Sequence, residues 1–481
     1  MKKFLYLSIP VLLALTACKK DLSIYNTDGK KASTVPATSL FLAGEKSLSD
    51  YYEQPSGSYN VFRQFSQSWT GSNYTTEARY VLSAYNSPNN WWIQLYTAVL
   101  ANLTNAKTLY ATTVTDPAVL RNDLIVTDIL EVYAYNLLVS TYGNIPYSQA
   151  ENRTVPFPKY DDAKTVYIDL LHRLDTCIAG LNTGAASLGA ADQIYKGNTA
   201  AWKKFAATLK LKMAMVLADV DAATASKNVA DAIAAGVFTS NSDNARFAYQ
   251  TSPTGNTNPV WQAVINSGRT DFVPANLLLN TLQSWSDPRL GLYFTKATDG
   301  TYKGGTPGGG NSPSGLSTFS SAWTAATFPT DLLDYAETEF LLAEAAERGF
   351  AGAGTAETHY NNGITASITY WGGSATDAQT YLAVPAVAYS TAAGDFKQKI
   401  AWQEWIAMAD RGWDAWVLIR RLKQPNIDAL SPPLGAITNL PLRFYYPTTE
   451  QTANPTNWAA AVKAMQGGTS DDVNTKLFWI P

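Results

Sequence analysis

The stretch Leu15-Thr16-Ala17-Cys18 decides which part of this chain is free to fold. It closes an apolar run from Phe4 to Leu15 that is preceded by Lys2 and Lys3. A basic start, a short apolar segment and small residues before a cut site mark an export peptide rather than a fold element. The run is also shorter than the roughly 20 apolar residues a bilayer span needs. The pattern predicts a signal peptide over residues 1–17, cleavage before Cys18, and acyl chains on Cys18 that hold the mature chain to a membrane. Two or more such chains anchor stably, because each buried methylene adds about 0.8 kcal/mol. The alternative is an ordinary secretory signal with an incidental cysteine.

The anchor limits what can hold the fold together. The chain has two cysteines, Cys18 and Cys177. With Cys18 lipidated, Cys177 has no partner and a disulfide framework is excluded, even at an oxidising destination. Stability must then come from a hydrophobic core, which 481 residues are long enough to supply. Cys177 lies in the helical-looking stretch Val166 to Leu181 and reads as a small buried hydrophobe. The two histidines, His172 and His359, lack zinc-site spacing and read as satisfied structural residues. Asp161-Asp162 and Asp471-Asp472 are adjacent acidic pairs that solvated turns explain, so no metal and no cofactor is expected.

A formal net charge of -3 gives no reason to expect a nucleic-acid partner. Charged residues are few, at 16%, while 14 Trp and 27 Tyr make the chain rich in rings. Rings stack on the C–H faces of sugars, so this balance suits a neutral ligand, although most such rings belong to a core.

Helical patterning dominates beyond a polar tether from Lys19 to about Thr38. Asp116-Pro117 predicts an N-cap with proline in the first turn, followed by Val126, Leu130, Tyr133 and Leu137 on one face. Gly143 and Pro146 stop that helix. A second helix, from about Thr199 to Asp219, carries Trp202, Phe205, Leu209, Met213 and Val216 as a stripe. A third, from about Asp334 to Glu347, is apolar nearly all round, which predicts burial between other helices. Glu357 to Tyr370 can pair with it, and a last helical pair spans about Asp395 to Arg421 with a break at Arg411-Gly412. Pairs of this size predict a mostly α fold of tetratricopeptide-like hairpins, although the 34-residue repeat consensus is not legible. Two long stretches, Tyr51 to Asn90 and Gly300 to Thr330, read as irregular. The second holds a glycine run, Gly304 to Gly310 broken by Thr306-Pro307, which is expected to be a mobile surface loop.

Five segments in order resemble the SusD/RagB family of outer-membrane nutrient-binding lipoproteins from Bacteroidetes. They are Tyr142-Gly143-Asn144-Ile145-Pro146-Tyr147-Ser148; Tyr195-Lys196-Gly197-Asn198 with Trp202-Lys203-Lys204-Phe205 and Leu209 to Met213; and Tyr335 to Ala345. The fourth is Ile400 to Arg421, with Gln403, Trp405, Gly412, Ala415-Trp416 and Arg420-Arg421. The fifth is Leu440 to Pro447, followed by Glu450, Asn454, Asn457 and Lys476-Leu477-Phe478-Trp479. The Arg-Phe-Tyr-Tyr-Pro ending is similar to one SusD-like branch more than to the starch-binding founder. The resemblance implies one nutrient-binding domain over residues 39–481, with helical hairpins on one side and irregular loops forming the ligand face. It implies a protein on the outer membrane, facing the cell exterior, that captures an oligosaccharide or peptide for a SusC-like TonB-dependent transporter. No catalysis is expected.

The motif residues also have a structural reading. Trp202, Phe205, Trp405 and Trp416 sit at core spacing. Glu339 and Glu344, in a near-apolar helix, need partners, which Arg420, Arg421 or Arg443 could supply. Truncating Glu339 is then expected to destabilise the fold.

Candidate ligand contacts are rings and polar groups outside the helical stripes. Trp69, Tyr74 and Tyr80 lie in the polar stretch Ser66 to Ser83; Trp261, Asp271 and Phe272 follow a Pro/Gly/Asn-rich loop; Tyr302, Phe319 and Trp323 flank the glycine-rich segment. A lipid-anchored glycoside hydrolase is the rival, since 39 acidic residues offer many carboxylate pairs. No GxSxG, HExxH or Cys/His constellation supports other hydrolytic chemistry. An inert helical scaffold is a third reading, which the rings in irregular segments oppose.

Overall fold

The computed structural model describes residues 35–252, 255–435, 437, 439–466 and 470–481. The expected signal peptide, Cys18 and the tether up to residue 34 lie outside the described residues. The first helix, Ala37–Glu53, opens the compact unit Ala37–Pro481.

Capping sets the helix starts. Asp116 Oδ1 accepts from the amides of Ala118 and Val119 at 2.8 and 3.2 Å, and Pro117 occupies the first turn of Pro117–Tyr142. Asn198 caps Thr199–Val216 in the same way, and Asp334 caps Tyr335–Glu347 through the Glu337 amide at 2.7 Å. Each such cap is worth about 1 kcal/mol. Gly143 ends the Pro117–Tyr142 helix with φ of 91°, a conformation that favours glycine. That helix is apolar and long enough to cross a bilayer, yet its inner faces are buried by its neighbours, Val126, Leu130, Tyr133 and Leu137 included.

Consecutive helices pack as hairpins. Pro117–Tyr142 lies on Ala163–Gly180, Thr199–Val216 on Ala222–Ala235, and Tyr335–Glu347 on Ala356–Tyr370. The Phe396–Ala407 and Gly412–Leu422 helices close the core. Glycine at their break has a steric cause, because a Cβ on Gly412 would collide with the Arg63 backbone. The mostly α architecture and its hairpins are as the sequence predicts. Strands among the described residues occur as short antiparallel pairs, of which Trp69–Gly71 with Phe272–Pro274 bears on function.

Ion pairs bind the hairpins together internally. Lys212, Glu337, Arg411 and Asp414 form a buried cluster, with Lys212 Nζ 2.9 Å from Glu337 Oε1 and Arg411 Nη1 3.0 Å from Glu337 Oε2. Glu344 takes Arg421 at 2.5 Å and Arg348 at 2.8 Å, so one expected pairing is found. Glu339 differs: its partners are His359 at 2.6 Å and Asn362, not an arginine. The Ala356–Tyr370 helix packs directly on Tyr335–Glu347 and brings these side chains nearer than any guanidinium. Arg443 binds Asp471 at 2.5 Å, and Arg420 stacks on Trp416 and Trp479 while donating to the Ser140 and Leu442 carbonyls.

Other expectations need correction. Asp471 is not part of a solvated turn, since the buried Arg443 holds it. Asp161 accepts from the Tyr147 and Ser148 amides, and Asp162 caps the Ala163–Gly180 helix. His172, expected as a satisfied structural residue, is exposed with Asp175 at 3.9 Å, while Cys177 is buried as expected, its thiol pushed up by burial. The Tyr51 to Asn90 stretch contains the helical turn Phe62–Phe65 and the start of Ser87–Ile93. The glycine run is packed rather than a free surface loop. Gly305 donates to the Pro274 carbonyl at 2.8 Å, Arg79 Nε donates to the Gly308 carbonyl at 2.7 Å, and Asn311 Nδ2 donates to the Gly71 carbonyl at 2.8 Å.

Candidate ligand site

The strand pair lies beside a polar cleft that two exposed rings line. Gly71 stands opposite Phe272, and the Ser72 amide extends the ladder by donating to the Asp271 carbonyl at 2.8 Å. This fixes Asp271 and Phe272 at the wall of a cleft of about 200 Å³. Tyr74, 51% exposed, lines the same cleft and meets Tyr85, 37% exposed, edge to face at 6.1 Å. Two exposed large rings side by side cost solvation in the free protein and offer faces for an apolar or C–H-rich partner.

The polar groups around the rings are organised. Arg269 Nε pairs with Asp271 Oδ2 at 2.6 Å, and its guanidinium lies 4.9 Å from the Phe272 ring centre. Asp271 is thereby oriented as an acceptor and Arg269 keeps further N–H groups for a ligand. Gln64 also lines the cleft; its Oε1 is buried and accepts no hydrogen bond. Glu77 sits almost fully buried in the lining, and burial pushes its carboxyl above the ordinary range. Gly57 allows this, because a Cβ there would meet the Glu77 carboxyl at 2.5 Å. The combination provides ring faces, one ion-paired carboxylate, a guanidinium and an unused amide oxygen. It suits a hydroxyl- or amide-bearing ligand of low charge.

Three sequence candidates, Tyr74, Asp271 and Phe272, come together here. Trp69, Tyr80, Phe319 and Trp323 do not reach a ligand surface, because each is buried. Trp69 packs on Phe319 at 4.2 Å and on Trp323 at 5.5 Å, and Trp323 also contacts Phe294, Tyr293 and Trp371. A cluster of this area is worth more to the fold dry than to a ligand wet. Tyr80 is drawn in by Phe65, edge to face at 5.4 Å, and by Asp428, to which its hydroxyl donates. Trp261, half-buried in a turn capped by Asn258, and Tyr302, beside Lys296, do not line the cleft. Sequence reasoning missed Tyr85, Arg269, Gln64 and Glu77. Tyr85 carried a signal, lying in the aromatic stretch two residues past Ser83; the other three are polar residues that only folding brings to the rings.

Helical hairpins and a ring-lined cleft in irregular chain define a mostly α binding protein. The chain belongs to the SusD-like family, whose description reads "Starch-binding associating with outer membrane" and whose profile matches residues 29–447. It is similar to a solved chitin-binding protein, with 25% identity and a TM-score of 0.77 over 92% of this chain and 99% of the other. It is similar to a SusD homolog from Bacteroides uniformis, with 25% identity and a TM-score of 0.74 over 92% and 99% of the two chains. A chitin-binding SusD homolog from Flavobacterium johnsoniae shares its fold, with 24% identity and a TM-score of 0.77 over 91% and 98%. No curated protein sequence matches the chain.

Proposed function

We propose that this protein is a surface lipoprotein that captures an oligosaccharide in the Tyr74–Tyr85 cleft and passes it to a SusC-like TonB-dependent transporter. The observation that carries the reading is the exposed ring pair beside the Arg269–Asp271 couple. Stacking supplies affinity without charge, and the fixed acceptor and donors select hydroxyl patterns. Membership in an outer-membrane family and the Cys18 pattern support attachment by lipid at the outer surface. The role is binding rather than catalysis, which the family description and a relative described as chitin-binding support. A relative described as chitin-binding makes N-acetylated oligosaccharides the first probes.

The test is calorimetric titration of the purified protein with oligosaccharide pools, chitin fragments first, and with peptide digests. A saturable glycan signal that Tyr74→Ala and Tyr85→Ala each weaken by about tenfold supports the reading. A signal with peptides alone changes the nutrient class. Ligand turnover during titration replaces the reading with a hydrolase.

A further inference from the structure

The loop between Pro146 and Tyr160 carries a second site that shares no lining residue with the Tyr74 cleft. Two grooves meet at Glu151 and Pro158. One, about 270 Å³, is lined by Trp92, Tyr96 and Pro146, with Glu450 also in its wall. The other, about 200 Å³, runs between Thr104, Asn105 and Arg153. Glu151 is half-buried where they join.

The surrounding polar groups already have partners. Glu131 takes Lys107 at 2.9 Å and Arg173 at 3.0 Å. Glu450 accepts the Tyr160 hydroxyl at 2.7 Å. Arg153 donates to Asn105 Oδ1 at 3.3 Å. Among the described residues Glu151 alone of these groups has neither a hydrogen bond nor an ion pair. Burial, with Glu131 nearby, pushes its carboxyl up to about 7 against the opposing attraction of Arg153, so a partial charge is held at neutral pH with neither a hydrogen bond nor an ion pair.

A carboxylate that lacks a hydrogen bond or ion pair, beside ring and proline surfaces, is complementary to a positive group on an alkyl stem. The carboxylate accepts charge-assisted N–H bonds, and the rings attract the cation and cover the stem. We propose that this groove binds an organic ammonium or guanidinium group, with Glu151 as the acceptor and Tyr96, backed by the buried Trp92, as the apolar wall. The inference does not depend on what the Tyr74 cleft binds.

Titration of the full mature protein at pH 8 with N-acetyl-lysinamide, N-acetyl-argininamide and putrescine tests it. The neutral analogues N-acetyl-norleucinamide and 1,4-butanediol are run beside them. Saturable binding of a cation at about 1 mM, absent for its analogue, is expected. Glu151→Gln is expected to weaken it by about tenfold at an unchanged melting temperature, and Tyr74→Ala to leave it alone. Thr97→Arg, at an exposed rim position, is expected to block the groove by supplying its own cation. Moving from pH 8 to pH 6 is expected to weaken binding, since Glu151 takes up a proton while the ligand stays charged. The capped amino acids against putrescine decide whether the source is a peptide side chain or a free polyamine. Equal binding of neutral analogues, unchanged affinity in Glu151→Gln, or no cation binding up to about 10 mM overturns the proposal.

Discussion

Lys212 and Glu337, 125 residues apart in the chain, meet at 2.9 Å inside the protein. Asp414 shares the ammonium and also accepts the Tyr52 hydroxyl, while Arg411 takes the second oxygen of Glu337. Four helical segments are therefore tied through one buried cluster. Attraction inside a protein offsets the cost of removing charges from water only while every partner is present.

Lys212→Met is accordingly expected to lower stability by about 3–5 kcal/mol, because it leaves Glu337 and Asp414 facing each other with one cation fewer. The urea midpoint of unfolding measures it. A change within the error of the midpoint would contradict this view of the core.

Trp323 and Tyr74 are expected to separate stability from binding. Trp323 is fully buried, and Trp323→Ala should cost about 3–5 kcal/mol through lost contacts and an unfilled cavity. Tyr74→Ala, at a surface position, should change stability by no more than about 0.5 kcal/mol and weaken oligosaccharide capture. Thermal melts and calorimetry on both variants check the pair; a melting point in Trp323→Ala equal to that of the parent would sink the assignment.

Glu339 and Glu344 lie on one helix and should behave differently. Glu344→Ala leaves the buried Arg421 without its ion-pair partner, while Arg348 keeps Asp219, and is expected to cost about 3–5 kcal/mol. Glu339→Ala removes contacts to the part-exposed His359 and to Asn362 but strips no guanidinium, for about 1 kcal/mol. Denaturant midpoints of the two variants should rank in that order.

Asp123 gives the stability a pH dependence of its own. Burial pushes its carboxyl up to about 6 in the fold, with a hydrogen bond from Ser187 opposing the shift. Unfolded, it titrates near 3.9. The folded state therefore binds more protons between these values, and the contribution is fully present below pH 4 and fades as the pH rises through 6. Asp123→Asn should remove that segment of the curve of melting temperature against pH. An unaltered curve between pH 4 and 7 would show that the carboxyl titrates normally.

Much of the fold was legible because helices advertise themselves locally. Asp116-Pro117, Asn198 and Asp334 cap in the chain where they start, and the stripe from Trp202 to Val216 is buried as its period requires. The family was legible for the same reason, since its motifs mark helix ends and core faces. Little of the cleft was. Trp69 and Tyr74 lie five residues apart in one polar stretch and read alike, yet one is 1% exposed and the other 51%.

What the sequence by itself determined is the helical hairpin architecture and the family. These depend on residues within a few turns of one another, where period and capping act. The tertiary structure alone decided which rings stay in water, that His359 rather than an arginine answers Glu339, and that Arg269 and Gln64 stand beside Tyr74. Those outcomes turn on contacts between segments far apart in the chain. A ring or charge is buried or exposed according to what packs against it, and its own sequence neighbours carry no record of that.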